Sequence, residues 1–206
     1  MIDLYTYGTA NGQRASVMLE LSGLPYRAHQ VDLSKGEQKA PGFLAINPTG
    51  MIPAIVDPDG PDGGPLALSQ SGAIILYLAE KTGRFLPEGG TAGAQALQWF
   101  VAVMTDAAQA SAYIHYTGRA EPAPDPHIVA HMERRFLGMV GDLDRRLADG
   151  PYLAGEEVSI ADIALYPTVA TRKALIERAE GLAHLKRWAE TMAAMPEVQR
   201  GMAVPG

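Results

Sequence analysis

The chain has 206 residues, 47% of them hydrophobic and 19% charged, with a formal net charge of −6. That length can bury the core of one large or two small domains, and the composition is that of a folded protein rather than a disordered chain. The acidic balance and scattered basic residues exclude a nucleic-acid or membrane-surface binder, and no apolar run approaches bilayer-spanning length. Residues Met1 to Thr6 carry no basic segment followed by an apolar one, so the chain is expected in the cytoplasm. Cysteine is absent, which removes disulfides, cysteine nucleophiles, dithiol redox motifs and cysteine-based zinc sites together. Any thiol chemistry must use a thiol that a ligand brings.

In chain order, Ile2 to Tyr7 reads as a strand. Asn11-Gly12 opens a helix with Ala15, Val17-Met18-Leu19 and Leu21 at helical spacing, stopped by Gly23-Leu24-Pro25. A second strand is predicted near Arg27 to Val31, then a polar stretch over Ser34 to Pro41 and a short helix near Phe43 to Ile46. Strand, helix, strand in that order is a βαβ unit with parallel pairing. Asn47-Pro48-Thr49-Gly50 is a turn by composition. Ile55-Val56 and Leu66-Ala67-Leu68 form a hairpin around the Pro/Gly-rich tip at 58–65, and Ser69 to Lys81 is a helix with Ile74, Ile75, Leu78 and Ala79 facing inward.

The predicted organisation is a thioredoxin-like domain over 1–82, a linker over 83–90, and an all-helical domain over 91–206. The helices of the second domain are expected at about 91–117, 126–147, 160–175 and 182–195. Ser159 and Asp162 have the spacing of a capping box, with Ser159 as cap and Asp162 reaching back to the cap's own N–H. Both are read as structural.

Three segments carry candidate chemistry. Pro53 entering a strand is either an ordinary trans proline at the strand's first residue or a cis bond that turns the backbone of Ile52 toward a ligand. Ser69-Gln70-Ser71-Gly72 opens a helix, which is either plain capping or a carboxylate site. Gly8-Thr9-Ala10-Asn11-Gly12 is either a turn or a convergence of a hydroxyl, an amide and free helical N–H groups on an anion, a thiolate included. His127 and His131 are spaced i, i+4 without a third ligand nearby, which favours a solvated face over a metal site.

Taken in order and spacing, these segments resemble the glutathione S-transferase family. The resemblance covers essentially the whole chain, from Thr49-Gly50-Met51-Ile52-Pro53-Ala54-Ile55, through Ser69-Gln70-Ser71-Gly72 and the helix it opens, to Pro151-Tyr152-Leu153-Ala154-Gly155-Glu156 and Ser159-Ile160-Ala161-Asp162. It implies a thioredoxin-like domain followed by a helical bundle, glutathione as cosubstrate, no metal, and a homodimer. Ile52 would pair its backbone with the cysteinyl unit of glutathione beside a cis Pro53, while Gln70 and Ser71 hold the γ-glutamyl end. Thr9-Ala10-Asn11-Gly12 and Asp32-Leu33-Ser34-Lys35-Gly36-Glu37-Gln38 are similar to the bacterial Nu class, in which reduction of disulfides is prominent. Carried over, Thr9 and Asn11 donate toward the glutathione sulfur and Gln38 contacts the tripeptide backbone. Two features depart from that class: the run Gln98 to Met104, and Gly138, which stands where a partner-subunit arginine is expected. Other transferase classes use a tyrosine hydroxyl near the end of the first strand, which makes Tyr7 the alternative catalytic residue. The implied activity is disulfide reduction, conjugation to a small electrophile, or both; the rival expectation is a non-catalytic glutathione-binding or scaffold member of the fold.

Overall fold

The computed structural model describes residues 1–206, and the chain divides into two compact units: Met1–Leu86 with Ala193–Gly206, and Pro87–Met192. The first unit is built on four strands, β1 (Ile2–Thr6), β2 (Tyr26–Gln30), β3 (Ala54–Asp57) and β4 (Leu66–Ser69), in the order β2-β1-β3-β4. β1 and β2 are parallel, and β1/β3 and β3/β4 are antiparallel. The parallel pair is joined by α1 (Ala10–Ser22), as the βαβ reading requires, while α2 (Pro41–Ile46) precedes β3 and α3 (Ser71–Thr82) follows β4.

Both sheet faces are covered. On one face Ile2 and Leu4 alternate inward along β1, in a core that also buries Val17, Met18 and Leu19 of α1 and Ile74, Ile75 and Leu78 of α3. On the other, Val31, Phe43 and Ala54 form a smaller cluster against which Tyr5, Ile46 and Ile52 pack. Tyr5 stacks on its cross-strand neighbour His29 at a centroid distance of 4.7 Å, so its ring serves packing.

The second unit holds α4 (Gly90–Ala102), α5 (Ala108–Thr117), α6 (Pro126–Leu147), α7 (Ile160–Thr171), α8 (Lys173–Arg178) and α9 (Ala183–Ala193), whose last residue belongs to the first unit. The helix expected over 91–117 is interrupted by a π-helical turn at Val103–Ala107. The one expected over 160–175 breaks at Arg172, whose φ of −106° and ψ of 18° leave the helical region. At the start of α7 the capping box forms as its spacing predicts. Oδ2 of Asp162 accepts from the N–H and hydroxyl of Ser159 at 3.0 and 2.8 Å. Its Oδ1 accepts from the N–H of Leu153 at 3.0 Å and from the indole of Trp188 at 2.9 Å. Trp188 is fully buried, so one carboxylate ties a loop, a helix start and the centre of α9 together.

The all-helical domain expected over 91–206 needs one correction. Its last helix, α10 (Pro196–Met202), belongs to the first unit and packs on α1. A Cβ on Gly201 would lie 2.5 Å from Cα of Val17, so only glycine allows this approach. Ser16 Oγ seals it by donating to the Gly201 carbonyl at 2.6 Å, and the Gln13 side chain donates to the Met202 carbonyl at 3.0 Å.

Asp162→Ala strands three or more buried donors at about 1–3 kcal/mol each, so denaturant unfolding should show a loss of several kcal/mol. Asp57 supplies a pH dependence. Burial alone would push its carboxyl up, but the Tyr77 hydroxyl, the Asp59 N–H and the Lys81 ammonium outweigh burial and hold it below the ordinary range. A carboxyl depressed in the folded state contributes stability that is present above its unfolded value of about 3.9 and is lost as the pH falls through the folded value. The stability gap between the wild type and Asp57→Asn should therefore be widest near neutrality and narrow on acidification below about pH 4; a gap constant over that range would contradict the assignment.

Candidate functional site

Strand register brings the candidate segments to one end of the sheet. Tyr5 lies opposite Ala54 and Ala54 opposite Ser69. The chain leaving β1 (Tyr7 to Thr9), the chain entering β3 (Ile52-Pro53) and the chain leaving β4 (Gln70-Ser71) therefore share that edge. β2 ends there too, since Thr6 pairs with Gln30 and accepts from the N–H of Val31 at 2.8 Å. The loop carrying Gln38 begins at this point.

Thr9 is the N-cap of α1, with φ −121° and its hydroxyl oxygen accepting from the N–H of Gly12 at 3.2 Å. Capping uses only the oxygen's acceptor capacity, so the O–H hydrogen is still available to donate. The N–H groups of Ala10 and Asn11 have no partner in the chain, as the start of a helix requires. Asn11 lies inside the first turn and is exposed, and its amide oxygen accepts from Arg14. Gly12 explains why the turn can be so tight: a Cβ there would sit 2.3 Å from the Tyr7 carbonyl oxygen and 2.4 Å from Thr6 Oγ1. The helix start is thus pressed against the end of β1. Tyr7 lies just beyond the strand and is half-buried; its carbonyl accepts from the N–H of Thr9 at 2.6 Å.

The turn before β3 is organised by Asn47, only 3% exposed, which donates to the Met51 carbonyl at 2.6 Å and accepts from the N–H and hydroxyl of Thr49. It leads to an Ile52-Pro53 bond that is cis, the second of the two alternatives its sequence leaves open. Neither the N–H nor the C=O of Ile52 makes a hydrogen bond within the chain. Gly50, at φ +62°, lies against the Gln38 backbone, where a Cβ would come within 2.9 Å of the Gln38 carbonyl. Gln38 is thereby seated beside the turn. Its side-chain oxygen is shielded from solvent and has no partner.

The Gln38 loop is held by Asp32. The Ser34 hydroxyl and N–H donate to Asp32 at 2.6 and 2.9 Å and Lys35 pairs with it at 3.1 Å. Those groups hold the Asp32 carboxyl down to about 2.

At the third segment Ser71 is the first residue of α3, and the helix start is left with free N–H groups and no side-chain cap. Gln70 precedes it at φ 73° and ψ 114°, a backbone region that costs a non-glycine residue about 1–3 kcal/mol. Its side chain is exposed and does not cap the helix. One end of the sheet thus presents two helix N-termini, a free extended backbone unit and an orphaned amide oxygen, all within one unit. This is a donor and acceptor set that suits an extended peptide with a carboxylate at one end and an anionic group at the other. His127 and His131 are exposed on α6, and no cluster of three or more His, Asp or Glu side chains is placed to hold a metal ion.

Sequence reasoning missed Arg14. It is 1% exposed and lies one helical turn before Met18 on the apolar side of α1. A cation interrupting an apolar stripe was the available signal.

A mixed four-stranded sheet of this order followed by a helical unit, with this edge, defines a glutathione S-transferase. The chain belongs to that family: residues 10–81 match its N-terminal domain and residues 126–191 its C-terminal domain. Among its relatives is the disulfide-bond oxidoreductase YfcG of Escherichia coli, 43% identical over 170 residues, which span 82% of this chain and 79% of that protein. YghU of the same organism, also a disulfide-bond oxidoreductase, is 30% identical over 98% of this chain and 74% of its own length. A glutathione transferase of Burkholderia graminis, solved with two glutathione molecules per subunit, superposes with a TM-score of 0.92 at 33% identity, covering 99% of this chain and 88% of that one. One from Pseudomonas putida, solved with a glutathione disulfide, gives 0.89 at 33% identity over 100% of this chain and 92% of that one.

The close approach at Gly12 makes a prediction. Gly12→Ala cannot be absorbed by side-chain movement, because the Tyr7 carbonyl it meets is backbone. Retention on immobilised glutathione should fall sharply, with lowered thermal stability; a variant that binds as the wild type would contradict the geometry.

Proposed function

We propose that the protein is a glutathione-dependent disulfide reductase that activates the glutathione thiol between Thr9 and Asn11. The observation that carries this reading is the first turn of α1, where a capping hydroxyl keeps its hydrogen and two backbone N–H groups stay unpaired. Ile52, with both main-chain groups free, is suited to pair in β fashion with the cysteinyl unit. Gln70, Ser71 and the N-terminus of α3 suit the γ-glutamyl carboxylate, and Gln38 offers its orphaned side-chain oxygen to a backbone N–H of the tripeptide. The strain at Gln70 fits a residue held for binding rather than for folding.

A thiol with a pKa near 8.5 is mostly protonated at neutral pH, and lowering that value by two units takes roughly 2.7 kcal/mol of preference for the thiolate. Hydrogen bonds to a charged group contribute about 1.5–3 kcal/mol each, so a hydroxyl and an amide at a helix N-terminus suffice. The thiolate attacks one sulfur of a disulfide, forming a mixed disulfide with glutathione and expelling the other sulfur as a thiolate. With no protein cysteine, a second glutathione thiolate must resolve that intermediate. The balance is two glutathiones oxidised to one glutathione disulfide and one substrate disulfide reduced to two thiols. The relatives named as disulfide-bond oxidoreductases and the neighbours solved with two glutathiones or glutathione disulfide support this direction. The same thiolate would attack an electrophilic carbon, so conjugation of small electrophiles is a second activity of the same site.

Tyr7 is the weaker candidate because it lies before the helix start, whereas Thr9 is the N-cap of α1 and stands beside its unpaired N–H groups. A homodimer in the cytoplasm completes the proposal.

The thiolate absorbance of bound glutathione, followed with pH, tests the mechanism. Thr9→Ala and Asn11→Ala should each raise the apparent thiol pKa by about 1 unit or more and lower turnover of a model disulfide about tenfold, while Tyr7→Phe should leave both nearly unchanged. No depression of the thiol pKa in the wild type would sink the mechanism, and retention of glutathione without turnover of any disulfide or electrophile would favour a non-catalytic binder.

A further inference from the structure

We propose that Arg14 is a positioning residue that fixes which way the side-chain amide of Asn11 faces; the inference rests on the role proposed for Asn11 above. The two residues share one turn of α1 but differ in environment: Asn11 is exposed, whereas Arg14 is 1% exposed. An Nη1–H of Arg14 donates to Oδ1 of Asn11. A guanidinium has five donors and no acceptor. It can therefore meet only the oxygen of the amide, and turning the amide over would set N–H against N–H.

The arginine thus selects one of two amide orientations that are nearly equal in shape. In the selected one the NH₂ group faces away from the buried cation. An exposed asparagine without this restraint would divide its time between orientations, and half of them would present a carbonyl oxygen to an anionic sulfur. Burial pulls the Arg14 guanidinium down to about 10, still far enough above neutrality that it stays protonated and donor-only.

The test compares Arg14→Gln and Arg14→Lys in the wild-type and Asn11→Ala backgrounds. It measures kcat and KM for glutathione in reduction of a model disulfide, and the thiolate absorbance of bound glutathione at one fixed neutral pH. Glutamine can donate or accept and so permits either amide face, whereas lysine is again a pure donor. Arg14→Gln should lower kcat about tenfold, the loss expected of one misdirected donor to a charged group, with a smaller thiolate signal and little change in KM. Arg14→Lys should recover most of the loss. In the Asn11→Ala background Arg14→Gln should cost nothing further, because a residue acting through another shows no separate effect once that partner is gone.

An equal loss from Arg14→Gln in both backgrounds, or a rise in KM alone, overturns the inference while leaving the thiol-activation mechanism standing. Full activity of Asn11→Ala removes the role of Asn11 and this inference with it. Should Arg14→Gln fail to fold, Asn11→Asp replaces it with Arg14 intact: its carboxylate pairs with the guanidinium and offers no N–H, so kcat should fall at least as far as in Asn11→Ala. Wild-type turnover by Asn11→Asp would overturn the inference.

Discussion

Where β1 hands over to α1, the helix begins almost on top of the strand, with the α-carbon of Gly12 against the Tyr7 carbonyl and the Thr6 hydroxyl. Everything at this edge of the sheet is referred to that contact. It sets the height of Thr9, which caps the helix, and of Asn11, one residue into it. It also aligns the α1 terminus with the ends of β3 and β4, because the strands are locked in register at Tyr5, Ala54 and Ser69. Helix N-termini attract anions wherever they occur. What makes this pair a candidate site is that the sheet holds both at the same end, with the unpaired backbone of Ile52 at that end too.

The supports of the site lie in ordinary side chains. Asn47 spends its whole amide on one turn, accepting from Thr49 and donating to Met51. Asp32 does the same for the neighbouring loop through Ser34 and Lys35. Both residues are buried, and satisfied buried polar groups of this kind rigidify the backbone around them. The result is an edge whose remaining free groups have fixed directions before any ligand arrives, which lowers the ordering cost of binding.

Much of this was legible because the local signals are short-range. The alternation along β1, the helical stripe of α1 and α3, and the capping box at Ser159 and Asp162 each need only a few neighbouring residues, and each forms where expected. The family resemblance was legible only from the three candidate segments jointly, since a capping serine or a proline at a strand start reads as structure when taken singly. What escaped depends on contacts distant in sequence. No glycine or proline marks the π-helical turn at Val103–Ala107, and nothing near Gly201 tells that its partner is Val17. Arg14 lay in plain view on an apolar face, but its bond to Asn11 shows only in the folded helix.

The return of α10 to the first unit has a consequence for synthesis. Helix α1, which carries Thr9 and Asn11, is backed by Ser16 and Val17 against Gly201. Those contacts cannot exist until the whole helical unit has left the ribosome, because α10 follows it in the chain. Domains usually fold in the order they are made, but here the nascent thioredoxin-like portion must wait with one flank of α1 uncovered. The helix that carries Asn11 is made before the helical unit and buttressed only after it, so a ribosome-bound chain that still lacks α10 holds the candidate site on an incompletely supported helix.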